Sequence, residues 1–249
     1  MALAIAVSAG APARADDGWA TSVGEDFASG KYGHTSSTQT ATTQLGLKYA
    51  FDAYALKLSL PYVVTRGPAD VVDTGSDRFV LGTGKTSSRQ VAGWGDLVLG
   101  GTYTVLERDG WLVDLGAKVK FATGDESKGL STGENDYAAQ VEVYRSLGNG
   151  HTVFGTLGGK KMGDPAGTDL RNPGYVSLGW SLRYSPNVSF GTMYDYRQKV
   201  SDHGSPISEA TMFAMNRLNA EWKLQSYIVK GFSDGSPDFG AGMVLIRAY

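Results

Sequence analysis

Tyr175-Val176-Ser177-Leu178-Gly179-Trp180-Ser181-Leu182-Arg183-Tyr184, then Ser185-Pro186-Asn187, then Val188-Ser189-Phe190-Gly191-Thr192-Met193-Tyr194-Asp195-Tyr196-Arg197 is the stretch on which the fold turns. Successive side chains of a strand point to opposite sides. Val176, Leu178, Trp180, Leu182 and Tyr184 therefore share one face, and Ser177, Gly179, Ser181 and Arg183 the other. The second run sets Val188, Phe190, Tyr194 and Tyr196 against Ser189, Gly191, Asp195 and Arg197. Ser-Pro-Asn between them is tight-turn chemistry. The pair reads as a hairpin with one apolar face and one face of small and charged residues. A soluble sandwich builds such hairpins as well. The Gly/Ser-rich polar faces and the aromatics beside the turn suit a strand whose outer face meets lipid. The hairpin alone leaves both readings open.

The same alternation recurs along the chain and predicts twelve strands. They fall at roughly Trp19–Gly30, Thr40–Phe51, Tyr54–Thr65, Gly95–Glu107, Val113–Phe121, Tyr137–Ser146, His151–Lys161, the two strands quoted, Ala210–Trp222, Gln225–Phe232 and Phe239–Tyr249. Pro61 interrupts the third, where a bulge is expected. The Asp109-Gly110 and Asn149-Gly150 pairs carry hairpin-turn signals. Tight turns follow the second, fourth, sixth, eighth and tenth strands. Longer polar loops at about 67–93, 124–134, 163–172 and 200–208 follow the third, fifth, seventh and ninth. Short turns at one end and long loops at the other mark a transmembrane barrel. No edge can face lipid unpaired, so the sheet must close. The expected fold class is therefore all-β: a closed antiparallel transmembrane β-barrel of 12 strands in a bacterial outer membrane. Tyr249 ends the last strand on an aromatic, with Leu245 and Met243 on its face. Arg247 on that face reads as an interfacial snorkelling arginine.

The chain has 249 residues, no cysteine, 34 glycines and a net charge of −2, with a mean hydropathy of −0.20. No run approaches the roughly 20 apolar residues of a membrane-spanning helix. The near-neutral charge gives no argument for nucleic acid, and the lack of cysteine excludes disulfide scaffolds and thiolate metal sites. Residues 1–15 read as a secretory signal without its positive start: Leu3 to Ala11 is small and apolar, and Ala13-Arg14-Ala15 resembles a cleavage site. Residues 16–249 then form a single barrel domain.

No metal-ligand spacing connects His34, His151 and His203, and no cofactor motif is present. His34 followed by Ser36 and Ser37 raises a hydrolase on a barrel, but a nucleophile needs an adjacent base and an orienting third group. Gly82-Thr83-Gly84 lacks the strand–loop–helix context of a phosphate cradle. No catalytic residue is assigned. The informative residues lie on the inner face. Alternation puts there Lys48, Lys57, Lys118, Lys120, Lys160, Arg183, Arg197 and Arg217, against Asp96, Asp114, Glu142, Asp195 and Glu221. These are the candidate pore-lining residues. With eight cations to five anions, mild anion preference is expected. About eight strands is the size that side chains fill, so a twelve-stranded barrel keeps a lumen unless a loop or the N-terminus enters it. The 67–93 loop is the best candidate, because Val71-Val72 and Phe79-Val80-Leu81 suit an apolar constriction.

Gly93-Trp94-Gly95-Asp96-Leu97, Lys120-Phe121-Ala122-Thr123-Gly124-Asp125, Lys128-Gly129-Leu130-Ser131-Thr132-Gly133-Glu134-Asn135-Asp136 and Lys230-Gly231-Phe232-Ser233-Asp234-Gly235-Ser236-Pro237-Asp238 resemble the outer-membrane family named for the phenol meta-cleavage pathway. The resemblance spans nearly the whole mature chain. It implies a twelve-stranded, monomeric barrel that passes small hydrophobic or aromatic compounds. The expected function is thus an outer-membrane channel for such molecules. The alternatives are a hydrolase-type barrel enzyme and a non-conducting structural or adhesive barrel. The expected partners are outer-membrane lipid, a small-molecule permeant and the barrel-assembly machinery, the last through the C-terminal strand.

Overall fold

The structure is a computed structural model that describes residues 17–68, 71–75, 78–80 and 88–249. The signal reading of residues 1–15, Leu81 and Gly82-Thr83-Gly84 lie outside the described residues. The strands are β1 (Gly18–Gly30), β2 (Thr38–Phe51), β3 (Tyr54–Pro68), β4 (Val71–Asp73), β5 (Arg78–Val80), β6 (Ser88–Trp94), β7 (Leu97–Arg108), β8 (Trp111–Phe121), β9 (Asp136–Gly148), β10 (His151–Lys161), β11 (Gly174–Arg183), β12 (Val188–Arg197), β13 (Ile207–Arg217), β14 (Trp222–Gly231) and β15 (Phe239–Ala248). Each wall strand is antiparallel to its neighbours. β1 pairs with both β2 and β15, and β2 pairs with β3, so the sheet closes. β6 and β7 share one place in the wall, both against β3. The barrel therefore has twelve staves, as the alternation predicts.

Strands of ten or more residues, tilted as barrel strands are, cross the roughly 25 Å apolar band of an outer membrane. Leu56, Leu115, Leu157, Leu178 and Met212 are exposed along the outer wall. At the short-turn end the outward aromatics link into a girdle. Trp19–Tyr49, Tyr49–Phe51, Phe51–Tyr54 and Tyr54–Tyr103 have ring centroids 4.6, 5.4, 5.3 and 4.7 Å apart. Arg247 reaches this rim, lies 4.7 Å over the Tyr249 ring and pairs with Glu221 at 3.2 Å. An outward arginine is tolerated there because its head leaves the apolar band.

Several boundaries differ from the sequence reading: residues 88–93 of the expected 67–93 loop belong to β6, in the wall against β3, and β14 starts at Trp222 rather than Gln225. The tenth predicted strand overruns: β13 stops at Arg217, and residues 218–221 form the turn to β14. There Asn219 Oδ1 accepts from the backbone N–H groups of Glu221 and Trp222. The local alternation continues through a turn that only these side-chain bonds reveal. The Pro61 bulge also fails to appear. The β2–β3 register runs unbroken through Gln44 opposite Pro61. The break falls instead in the neighbouring stave, between Trp94 and Leu97. Pro61's carbonyl points that way and accepts from Gly95 N–H at 2.9 Å. In an antiparallel ladder a residue's N–H and C=O point to the same side, so the donor that proline lacks is missing there.

Candidate functional site: the plugged lumen

The Pro61 break releases Asp96 from the wall ladder. Its backbone N–H donates to Thr74 O at 3.1 Å, and its carboxylate turns into the barrel. Oδ2 accepts from Lys120 Nζ at 2.8 Å and Oδ1 from Gly124 N–H at 3.0 Å. Lys120 also pairs with Asp136 at 3.2 Å and donates to Thr132, while Lys160 approaches Asp136 at 3.7 Å. Asp96, Lys120 and Asp136 are buried almost completely. The sequence motifs around 93–97, 120–125 and 128–136 thus converge on one ion-paired knot at the long-loop end of the barrel.

Against that knot sits the segment expected to enter the barrel. β4 and β5 form a small antiparallel hairpin outside the wall. Val71, Val72, Phe79 and Val80 are all buried. Val72 and Phe79 pack with Met162 and Leu170 of the β10–β11 loop and Val200 of the β12–β13 loop. Val71 and Val80 pack with Tyr32 of the β1–β2 loop. Asp73 N–H donates to Gly129 O in the β8–β9 loop, and Ser201 Oγ to Val80 O. Gly75 lies against Pro61 on the inner wall, so close that a Cβ there would strike the proline ring. Contacts on so many sides place the hairpin across the lumen. Within it Arg78 pairs with Asp73 through Nη2 at 2.6 Å and Nε at 2.7 Å, and donates to the Tyr32 hydroxyl at 2.7 Å. Burial pushes the Asp73 carboxyl up, but the Arg78 guanidinium and the Gly75 N–H overcome it and hold the group below its ordinary range. Burial pushes the Tyr32 phenol up.

Beneath the hairpin the lumen has two unlike sides. Phe154, Met193, Phe213 and Tyr227 form a buried cluster, with Tyr144, Val229 and Val244 against it. The rings fit because the facing strands carry glycine: a Cβ at Gly179 would run into Phe154, and one at Gly191 into Phe213. The other side is polar. Lys48 and Lys57 stand directly opposite each other on β2 and β3, and Gly100 joins Lys57 to Lys118 in the same row. A cavity of about 100 Å³ lies here, bordered by Lys48, Lys57, Gln44, Gln225, Tyr227 and Ile246.

The thirteen candidate pore-lining residues fall into distinct places. Lys48, Lys57 and Asp114 lie on the inner face, Asp114 accepting from Thr104 at 2.7 Å. Lys118 is exposed within that face. Glu142 accepts from Tyr144 at 2.8 Å and from Gln140. Asp96, Lys120 and Lys160 belong to the buried knot. Asp195 accepts from Ser177 at 2.6 Å and faces Glu209 across β12–β13. Arg197 lies beside it at the loop end, opposite Tyr175. Arg183 and Arg217 end their strands at the turn side, exposed. Glu221 does not face the lumen: it lies in the β13–β14 turn, exposed and paired with Arg247. Asp26, Glu209 and Lys223 were missed by the sequence reading. Alternation puts all three inward, but the irregular tenth and eleventh strands hid two of them. Asp26 accepts from Tyr227 at 2.9 Å. His34 makes no hydrogen bond to Ser36 or Ser37, and His151 accepts from Trp180 Nε1 at 3.3 Å on the outer face.

Neither a protein-family model nor a curated protein matches the chain. Among solved structures it is similar to an outer-membrane channel from Pseudomonas putida F1, with 13% identity and a TM-score of 0.72 over 95% of this chain and 97% of that one. It is also similar to KdgM porin, with 8% identity, a TM-score of 0.57, and 92% and 99% covered. A mutant of the TodX monoaromatic hydrocarbon channel shows 11% identity, a TM-score of 0.53, and 94% and 91% covered. At these identities the likeness is one of fold. With the closed sheet, the apolar belt and the aromatic girdle, it makes the chain a twelve-stranded β-barrel of the bacterial outer membrane.

Proposed function

We propose that this barrel is a channel for passive uptake of small hydrophobic or aromatic molecules. The observation that carries the reading is the composition of the lumen. A buried aromatic cluster, Phe154, Phe213 and Tyr227 with Met193, lies beneath an apolar hairpin that occupies the long-loop end. Such a wall favours permeants that can withdraw apolar surface from water against it. The likeness to a monoaromatic hydrocarbon channel supports it at the level of fold, and the motif resemblance to the phenol meta-cleavage family points the same way. Lys48, Lys57, Asp114, Lys118, Glu142, Asp195 and Arg197 would line the path, with the 71–80 hairpin as its constriction. The mature chain would begin near Asp16 after export, insert through its last strand with the assembly machinery and act as a monomer.

Uptake of radiolabelled toluene and of a neutral sugar into proteoliposomes tests the reading, with planar-bilayer recordings beside it. Toluene is expected to enter far faster than the sugar. Absence of both toluene entry and conductance steps, for the parent and for a chain lacking residues 71–80, would overturn the reading in favour of a structural barrel.

A further inference from the structure

We infer that the lumen near the short-turn end holds a binding site for an amphiphilic organic anion, its head between Lys48 and Lys57 and its apolar body along Val244, Ile246 and the Tyr227 ring. This rests on the channel reading and names the class of molecule the channel selects.

The lysines of the interior are treated in two ways. Lys120 and Lys160 at the long-loop end have carboxylates within 4 Å, Asp96 and Asp136. Lys48, Lys57 and Lys223 form no ion pair among the described residues. The acids that share their part of the lumen accept hydrogen bonds from neutral donors, Asp114 from Thr104, Glu142 from Tyr144 and Gln140, Asp26 from Tyr227. Of these acids only Asp114 acts on Lys48 through its charge, from a distance. Lys48 and Lys57 are moreover a directly opposed cross-strand pair. Like charges so placed repel, and in a narrow lumen they are poorly screened. Replacing either by a neutral residue would relieve the wall, so the pair makes sense as half of an interaction whose other half arrives from solution. Two ammonium groups carried by one cross-strand pair suit a carboxylate, whose two oxygens accept charge-assisted bonds.

The rest of the cavity decides against a small inorganic anion. Two staves from Lys48, beyond β1, stand Val244 and Ile246 of β15, and the Tyr227 ring continues into the Phe213 cluster. Ser22, Gly24 and Gly46 leave the space between, and Ile246 sits directly across from Lys223. The cavity of about 100 Å³ is thus cationic at Lys48 and Lys57 and apolar along Val244, Ile246 and the Tyr227 ring, with the Asp26 carboxylate on its border held by the Tyr227 hydroxyl. That is the shape of an aromatic or short aliphatic acid.

The test uses the full barrel in uncharged detergent and three probes of one skeleton: 4-phenylbutyrate, 4-phenylbutanol and 4-phenylbutylamine. Equilibrium dialysis should show the carboxylate bound at least about tenfold more tightly than the alcohol or the amine. Lys48→Gln with Lys57→Gln should erase that margin, while Lys48→Arg with Lys57→Arg should keep it. Equal binding of the three probes by the parent, or a margin that survives the double glutamine change, overturns the site. If the glutamine variant loses its heat-modifiable folded band, the parent decides: the margin should shrink between about 0.05 M and about 0.5 M salt, and a salt-independent margin refutes the lysine clamp. A barrel that passes toluene without any carboxylate margin keeps the channel reading and loses the site. A barrel that binds the carboxylate but passes nothing keeps the site and loses the channel.

Discussion

Replacing Arg78 with methionine should release the hairpin from the lumen. Arg78 holds the Asp73 carboxylate by two nitrogens, 2.6 and 2.7 Å from Oδ2, with side-chain exposures of 4% and 2%. Arg78→Met keeps most of the side-chain volume but leaves Asp73 buried without its counter-charge. Removing one partner of a buried pair costs about 3–5 kcal/mol. All of that cost falls on the docked state, because an undocked hairpin hydrates its carboxylate. The undocked population should therefore rise about 150-fold to about 5,000-fold. The chain has no cysteine, so Val72→Cys places a single thiol in the cluster with Phe79, Met162, Leu170 and Val200. Its reaction with a membrane-impermeant maleimide reads the undocked fraction when closing outpaces labelling. Arg78→Met should speed labelling by that factor, and Asp73→Asn with Arg78→Met should return it most of the way, since the orphan charge is gone. The pH dependence has a definite sign. Asp73's folded pKa is depressed, so its stabilisation is complete above the ordinary carboxylate range and is lost as pH falls through the depressed value. Single-barrel conductance should thus rise below about pH 4 and stay flat toward pH 8. A labelling rate for Arg78→Met within twofold of the parent would refute the idea that this ion pair seats the hairpin.

The two inward lysines of β8 should behave differently. Lys118→Glu should move the reversal potential toward cations with folded yield unchanged, whereas Lys120→Glu should lower the heat-modifiable band, because it sets three carboxylates together in a buried knot. Val119→Lys, on the outer face between them, should cost about 2–4 kcal/mol in urea unfolding from bilayers if it lies near the midplane; a silent change there would mean that β8 is not against lipid. Removing Tyr249, whose backbone N–H donates to Trp19 O at 2.9 Å beside the strand closure, should reduce folded protein in the outer membrane, and an unchanged yield would separate that aromatic from assembly.

The wall was legible in the sequence because it obeys one local rule. A period of two with lipid outside sorts every wall residue by parity, and Leu115, Val119 and Phe121 against Asp114, Lys118 and Lys120 needed no knowledge of any other strand. The rule fails where something other than parity sets the conformation. At Pro61 the sequence marks a defect, but which neighbour absorbs it depends on the side to which the carbonyl points, and that is fixed by register. At Asn219 a side-chain cap ends β13 while hydrophobic alternation carries on, so Glu221 was read as interior and Lys223, one strand later, was lost. The apolar character of Val71-Val72 and Phe79-Val80 did point to entry into the barrel, because such residues have no reason to stay in a solvated loop.

What parity cannot supply is what meets across the lumen. It places Asp96, Lys120 and Lys48 inside on equal terms, yet two are locked in a buried knot and the third borders a cavity. The difference comes from partners far away in the chain: Gly124 and Asp136 fold over the first two, while Gly46 and Ser22 leave the third uncovered. The aromatic side has the same origin. Phe154 can lie flat against the wall only because the strand beside it offers Gly179, and Phe213 only because of Gly191. Read alone, those glycines look like the small residues of any barrel interior. Their placement opposite large rings gathers an aromatic cluster along β10 to β14, which also carry Asp195, Glu209 and Lys223, apart from the row of lysines on β2, β3 and β8. That division gives an amphiphile an orientation in the lumen, whereas a uniformly polar pore would only give it passage.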